Sequence, residues 1–455
     1  MFLKAKNRCH RLFNVHRLKS NLKHSIRSSW IWSSLSPPWS SSSFLLIDHR
    51  IEKSFSTKVI GIETSCDDTG IAIVDSNGHI LSEVCANQTA IHVSNGGIIP
   101  PVARDLHRSM IDRCVINCFQ NGDILPNELS AIAVTVKPGL PLSLLVGCNY
   151  AKKLSAKYEL PVIPIHHMEA HALTAMIEYD QLDFPFVTLL ISGGHCLICF
   201  VRGLDDFQLM GQSLDIAPGD ILDKTGRSLR LKNLGPPFNM MSGGAAIELL
   251  AKNGDPFSYF TKVTSHPLYS SRFRTCNFSF SGLLTAIQRK IGELEQENQQ
   301  APDQVLDEAP NLCASILYVL SFILIKRLQR AFQFLDEKEM LPIHYPRKLV
   351  ISGGCASNRF IGSMIRNYCQ HDGIELYIPT PKLCTDNGVM IAWNGILKLH
   401  NEQNFSSNFV LRKQRYIRSL AIDSRAKLGT DISQNVTDAN IKCEKIDIKS
   451  FVDFL

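Results

Sequence analysis

The stretch that decides the fold runs from Val59 to Asp75, VIGIETSCDDTGIAIVD. Two apolar runs flank a polar tip, TSCDDT, and this pattern predicts a β-hairpin with a tight turn. The same design returns from Val187 in VTLLISGGHCLICFV. A third run, KLVISGGCASNRF from Lys348, reads as a buried strand passing through a glycine turn into a helix. Two hairpins opening successive halves of a chain predict an internal duplication. Between them, helical patterns such as HRSMIDRCVINCFQ from His107 alternate with short strands such as AIAVTV from Ala131 and PVIPI from Pro161. Strands alternating with helices imply an α/β protein with mixed or parallel sheets covered by helices.

The apolar part of LCASILYVLSFILIKRLQRAF, from Leu312, spans about fourteen residues before Lys326, too few to cross a bilayer; it reads as a buried helix, and no membrane insertion is expected. Asp255 to Arg274 reads as a loop, Gly292 to Pro310 as a solvated Glu- and Gln-rich stretch, and periodicity weakens after Leu411.

The chain has 455 residues, 45% hydrophobic and 20% charged, enough for two lobes with separate cores. Its first 47 residues carry Arg8, Arg11, Arg17, Arg27 and four lysines, with serine clusters and no acid before Asp48. That is the make-up of an organelle transit peptide, although an unaddressed tail would share it. Residues 1–57 hold a surplus of eight positive charges, so the formal +6 of the whole chain leaves a body near −2. Any nucleic-acid contact must therefore come from a local patch. The fourteen cysteines lack the paired spacing of a disulfide scaffold or a zinc ribbon. Cys196 and Cys199 form the one CxxC, but three residues along a strand they face opposite sides. Cys114 and Cys118 suit a helical core pair.

The sharpest chemical signal is HHMEAHALTAMI, where His167 and His171 stand four apart at the start of a helical pattern. That spacing puts both imidazoles on one helix face, as a metal requires, and equally suits a pair of capping histidines. In HExxH peptidases the glutamate directly follows the first ligand, whereas Glu169 lies two residues after His167, a rotation of about 200° away from the metal face. A third ligand candidate is Asp386 in PKLCTDNGVMIAW, which also suits a helix N-cap. Two histidines and one carboxylate would bind Zn²⁺ or Fe²⁺ with positions left open. The glycine turns at Ser192, Ser242 and Ser352 offer backbone N–H groups of the kind that cradle phosphates.

Together GIETSCDDTGIAI, GGIIPPVARDLH, HHMEAH, LLISGGHC, DKTGR, FSFSGL, SGGCASN and CTDNGVMIAW, running in order from about Val59 to Trp393, closely resemble the universal tRNA threonylcarbamoyladenosine transferases, once named glycoproteases. The leader and the MSGGAAIE and APGD segments resemble the mitochondrial branch. The resemblance implies an actin-like ATPase fold (actin, Hsp70, sugar kinase) with two lobes and an interlobe cleft. It divides the chain into a transit peptide (1–57), a first lobe (58–182, completed by about 387–410), a second lobe (183–386) and a tail (411–455).

Carried over by motif, the resemblance makes His167, His171 and Asp386 ligands of one divalent ion, Zn or Fe, per subunit. It places Leu190, Ile191, Ser192, Gly193, Gly194, Asp223, Gly244, Ser357 and Asn358 around the nucleotide part of threonylcarbamoyl-AMP. Asp67 and Asp68 would sit at the hairpin tip facing the reaction, as proton acceptor or as orienting and capping groups. The implied reaction transfers threonylcarbamoyl from threonylcarbamoyl-AMP, made by a separate enzyme, to the adenosine beside the anticodon of mitochondrial tRNAs reading codons that begin with A. The implied setting is the mitochondrial matrix, and the implied assembly is a homodimer. Lys137, Ala170 and Cys355 depart from the family's usual Gly, Gly and Val. An ATPase or kinase of the same fold and a silent RNA-binding scaffold are the alternative readings.

Overall fold

The computed structural model describes residues 56–452 apart from positions 96, 261–273, 300, 302, 342–343 and 406–409. Residues 1–55 of the leader and most of the Asp255 to Arg274 loop lie outside this set.

The first sheet comprises β1 (Lys58–Glu63), β2 (Thr69–Asp75), β3 (Ile80–Ala86), β4 (Ala131–Lys137) and β5 (Val162–His166). The second comprises β6 (Phe186–Ile191), β7 (Cys196–Gly203), β8 (Asp206–Gln212), β9 (Arg347–Ser352), β10 (Ile374–Tyr377) and the short β11 (Thr430–Asp431). The first runs β3-β2-β1-β4-β5 and the second β10-β9-β6-β7-β8-β11. Each half opens with an antiparallel meander of three strands, β1 to β3 and β6 to β8. Each then adds two parallel strands on the other side of its first strand. β11 aside, the two sheets are one topology used twice, as the two hairpins predict. This duplicated, helix-flanked arrangement is the actin-like ATPase fold.

The first sheet is flanked by α1 (Thr89–Ser94), α2 (Pro100–Gly122), α3 (Pro141–Tyr158) and α4 (His167–Leu173). α5 (Pro218–Ser228), α6 (Gly243–Ala251), α7 (Ser281–Glu297), α8 (Ala309–Glu337), α9 (Arg359–Asp372) and α10 (Pro381–Cys384) follow, then α11 (Gly388–Phe405) and α12 (Gln414–Arg418). Strand alternation sorts the first core: Ile60, Ile62, Ile71 and Ile73 meet Ile111, Cys114 and Cys118 of α2. Val59, Ala72, Val74 and Ile163 face the other way onto Val389, Ile391 and Ile396 of α11. The same rule separates Cys196 from Cys199 onto opposite faces of the second sheet. α8 is buried along most of its length in the second core.

Two stretches differ from the sequence reading. α7 continues through Glu297 because Ile287, Ile291 and Leu294 keep a helical apolar stripe beneath the Glu- and Gln-rich face. After Leu411 the chain stays ordered into short elements, with Ile417, Leu428, Val436, Ile441 and Phe451 buried one at a time. Such isolated anchors leave no period to read.

α11 lies unusually close to the first hairpin. A Cβ on Gly61 would stand 2.2 Å from the Gly388 carbonyl oxygen and 2.4 Å from the Ala392 nitrogen, and one on Gly388 would stand 2.4 Å from the Ala72 nitrogen. Backbone therefore packs on backbone, and the turn before α11, which carries Asp386, is drawn against the hairpin. α4 bridges the two cores: Ala170 packs with the first sheet, while Met168, Ala172 and Leu173 pack with Leu190, Cys199 and Val350 of the second.

Candidate metal centre

Strand β5 ends at His166 and α4 begins at His167, so three imidazoles crowd one junction. His166 takes the capping role: the Met168 N–H donates to its Nδ1 at 3.2 Å, and its Nε2 donates to the Lys427 carbonyl at 3.2 Å. Burial pushes its pKa down to about 4, so it is neutral. His167 and His171 remain available, with ring centroids 4.7 Å apart. A parallel division occurs before α11, where Asn387 Oδ1 accepts the Met390 N–H at 2.8 Å and caps the helix. Asp386 is thereby released to lie with Oδ1 3.0 Å from His171 Nε2 and 3.5 Å from His167 Nε2. One donor atom from each of the three residues lies within 4.8 Å of the others, the one such His, Cys, Asp and Glu cluster among the described residues.

The surrounding groups fix which nitrogen faces inward. His167 Nδ1 donates to Glu63 Oε2 at 3.1 Å, with Ser65 Oγ 3.2 Å away. Glu63 is fully buried and also accepts from the Ser65 N–H (2.5 Å) and the Thr135 hydroxyl (2.6 Å). Ser352 Oγ lies 3.5 Å from His171 Nδ1. A metal-ligating histidine is characteristically oriented by such a partner at its second nitrogen. In a neutral His167 the Nε2 lone pair then confronts the Asp386 carboxylate, two acceptors with nothing positive between them.

The electrostatics state the same demand. Burial alone would lower the pKa of His167, but Asp386 and Glu63 outweigh it and hold it up at about 9. Burial would raise both carboxylates, yet His167 and His171 keep Asp386 well below its ordinary value, and His167 keeps Glu63 below its own. Two buried carboxylates thus favour positive charge at the imidazole nitrogens, met by a proton on His167 or by a metal ion, and the donor set of two nitrogens and one oxygen fits a divalent ion such as Zn²⁺ or Fe²⁺. Glu169 points elsewhere, into an ion pair with Lys398 at 2.6 Å, as the rotation along α4 requires.

Asp67 and Asp68 occupy the tip of the first hairpin. Burial raises the pKa of both, with Asp386 adding to the rise, and Asp68 reaches about 7. Its Oδ1 is buried and finds no hydrogen-bond partner among the described residues. The tip is held from behind by buried His107, whose Nε2 donates to the Cys66 carbonyl at 3.1 Å while Nδ1 accepts from Thr69 Oγ1 at 2.7 Å.

The glycine turns converge around α5. A Cβ on Gly219 would stand 2.7 Å from Gly193 Cα, one on Gly243 would stand 2.6 Å from Asp223 Cα, and one on Gly353 would stand 2.4 Å from the Ile191 carbonyl oxygen. Leu190 and Ile191 have buried side chains, so only their backbone is available to a ligand. Gly193 and Gly194 border open space. Asp223 Oδ1 accepts the Gly243 N–H at 2.9 Å, next to Gly244 at the start of α6. Ser192 Oγ accepts the His195 N–H at 3.0 Å, Ser357 Oγ donates to the Gly354 carbonyl at 2.6 Å, and Asn358 Oδ1 caps α9 through Ile361 N–H at 3.1 Å. These three side chains are engaged in shaping the turns.

Glu63, Ser65, His107 and His195 also face the site, beyond the residues its motifs announce, and Ser352 contributes its side chain as well as its turn. His195 stands with its ring 6.5 Å from that of His167, its pKa lowered to about 4 by burial and by that neighbour. The available signal for Glu63 was a carboxylate closing an otherwise apolar strand.

The fold and site together define an actin-like two-lobed protein with a His, His, Asp centre where the lobes meet. The family model of tRNA N6-adenosine threonylcarbamoyltransferase matches residues 79–393, and the chain belongs to that family. It is 42% identical over 391 residues to the human mitochondrial tRNA N6-adenosine threonylcarbamoyltransferase, covering 86% of this chain and 91% of that one. The Xenopus tropicalis mitochondrial protein of the same name is 45% identical over 392 residues, 86% of this chain and 93% of that one. The probable Drosophila melanogaster counterpart, also named mitochondrial, is 41% identical over 392 residues, 85% and 93% of the two chains. Among solved structures, component A of Acidaminococcus fermentans (R)-2-hydroxyglutaryl-CoA dehydratase aligns at a TM-score of 0.45 and 12% identity, over 76% of this chain and 99% of that one. With relatives so named and an acid-poor, arginine-bearing leader, this is a mitochondrial member of the transferase family.

Proposed function

We propose that the protein transfers the threonylcarbamoyl group of threonylcarbamoyl-AMP to the exocyclic amine of adenosine 37 in mitochondrial tRNAs that read codons beginning with A. The observation that carries this reading is the convergence of His167, His171 and Asp386 beside a hairpin tip whose Asp68 has an unpartnered buried oxygen. An adenine amine is a weak nucleophile, since its lone pair is delocalised into the ring, so the acyl donor must arrive activated and aligned. In this reaction the amine nitrogen bonds to the carbamoyl carbon, the bond from that carbon to the phosphate oxygen breaks, and AMP departs with the electron pair. The amine proton passes to Asp68. Alignment in a cleft is worth up to about 7–11 kcal/mol of the barrier in ideal cases, and the glycine turns around α5 supply backbone N–H groups to hold the nucleotide. A divalent ion held by His167, His171 and Asp386 supplies, when bound, charge neutralisation and polarisation of an oxygen on the donor.

In this reading the protein works in the matrix as a homodimer, which light scattering should report as twice the mass of one chain, and depends on a separate enzyme for threonylcarbamoyl-AMP. Incubation with that enzyme, threonine, bicarbonate, ATP and mitochondrial tRNA, followed by nucleoside mass spectrometry, should yield threonylcarbamoyladenosine. ATP consumption with unmodified tRNA would instead mark an ATPase or kinase of this fold.

A further inference from the structure

We propose that residues 411–427 form an RNA-docking strap that holds the tRNA phosphate backbone on the first lobe and delivers its anticodon loop to the metal centre. This rests on the tRNA-modifying function proposed above. The segment LRKQRYIRSLAIDSRAK carries Arg412, Lys413, Arg415, Arg418, Arg425 and Lys427 against a single acid, Asp423. All six cations are exposed. Most of the chain's positive surplus sits in the first 57 residues, so the strap's +5 stands on a body that is otherwise net acidic. Such a patch is the footprint expected of a phosphate-binding surface.

The strap is fastened along its length. Leu411 exchanges both backbone hydrogen bonds with Val162 on the edge strand β5, at 2.8 and 3.0 Å. Ile417 is buried in the first core, and Lys152 Nζ donates to the Leu420 carbonyl at 2.8 Å. The Asp423 N–H donates to the Val136 carbonyl at 3.0 Å. At its far end the Lys427 carbonyl accepts from His166, the residue directly before His167. The cations are therefore mounted on a track that starts at a sheet edge and ends at the first proposed ligand. A fixed track lowers the ordering cost of binding a polyanion.

Tyr416 adds a recognition element. The residue is 47% exposed, and the Arg415 guanidinium lies 4.6 Å from its ring centroid and donates to its hydroxyl at 2.6 Å. An exposed aromatic stacked with arginine suits the unpaired bases of a loop. A lipid surface is the other polyanion that could meet such a patch. It would require apolar side chains facing outward, whereas Ile417 is buried and Leu420 and Ile422 pack on the core.

The test uses the full-length protein and the quadruple variant Lys413→Ala, Arg415→Ala, Arg418→Ala, Arg425→Ala. The affinity for labelled mitochondrial tRNA is followed by fluorescence anisotropy from about 0.05 to 0.3 M KCl. Each lost phosphate contact removes about 0.7–0.9 from the slope of log affinity against log salt. The variant should therefore lose about 3 from that slope and at least about tenfold in affinity at the lowest salt. Its unfolding temperature and metal content should match wild type, and restoring lysine at the three arginine positions should return about 2 of the lost slope. Unchanged affinity and slope would overturn the strap, as would a loss confined to binding of phosphatidylcholine vesicles containing phosphatidylserine. A wild-type protein that binds tRNA through the strap yet never modifies it would sink the proposed function and leave the strap standing.

Discussion

Asp68 shows how position rather than residue type sets chemistry. Burial and the neighbouring Asp67 raise its pKa to about 7, where a carboxylate is poised to accept a proton near neutral pH. As pH rises through 7 the group ionises and transfer should accelerate. Stability runs the other way: a folded-state pKa raised above the unfolded value stabilises the protein below the unfolded value, and that contribution is lost as pH rises through about 7. Asp68→Asn should lower kcat by about 10²–10⁴ and abolish the rising limb of the pH–rate profile. It should also make the protein more resistant to urea at pH 8, an advantage that shrinks as pH falls towards 5. A variant with the wild-type pH profile would remove Asp68 from the proton transfer. The His167 and His171 pair and Asp386 were legible because spacing on a helix and a lone acid before an apolar run are local signals. Their division of labour with His166 and Asn387 was not, because two adjacent histidines, or an adjacent Asp and Asn, are equally able to cap until the fold shows which one faces the helix end.

Among the elements, both hairpins and the strand into α9 are where their apolar runs place them, because a buried strand needs only a continuous run and a turn. The close seat of α11 on β1 and β2 is a different matter. Gly61 and Gly388 are 327 positions apart in the chain, and nothing local announces that they meet. Gly61→Ala inserts a Cβ 2.2 Å from the Gly388 carbonyl oxygen, so α11 must shift and carry Asp386 with it. Overpacking of this kind costs about 1–3 kcal/mol. The expected outcome is a lower unfolding midpoint together with weaker metal retention. Loss of stability with metal affinity untouched would show that Asp386 is positioned independently of this contact. Glu63 was hidden for the same physical reason: its partners His167 and Thr135 arrive from the β5 to α4 junction and from β4, respectively, and a sequence does not display contacts across strands.

At the scale of the molecule, one sheet topology used twice explains why the site lies where it does. The first hairpin and the turn before α11 belong to one core, and the SGGH and SGGCASN turns belong to the other. α4, packed on both, brings its histidines to the place where they meet. The strap of residues 411–427 was invisible as structure because its anchors are single buried side chains and backbone hydrogen bonds, though its charge was plain in the sequence. Two histidines of α4 and the aspartate before α11 are proposed to close on one divalent ion, and transfer is expected to depend on it. The most direct test measures bound metal by mass spectrometry and threonylcarbamoyl transfer on the same folded preparations of wild type and His171→Ala. The wild type should hold about one Zn²⁺ or Fe²⁺ per subunit, as a three-ligand centre requires, and the variant should lose both metal and transfer. Full transfer by His171→Ala with its metal content unchanged would contradict that dependence.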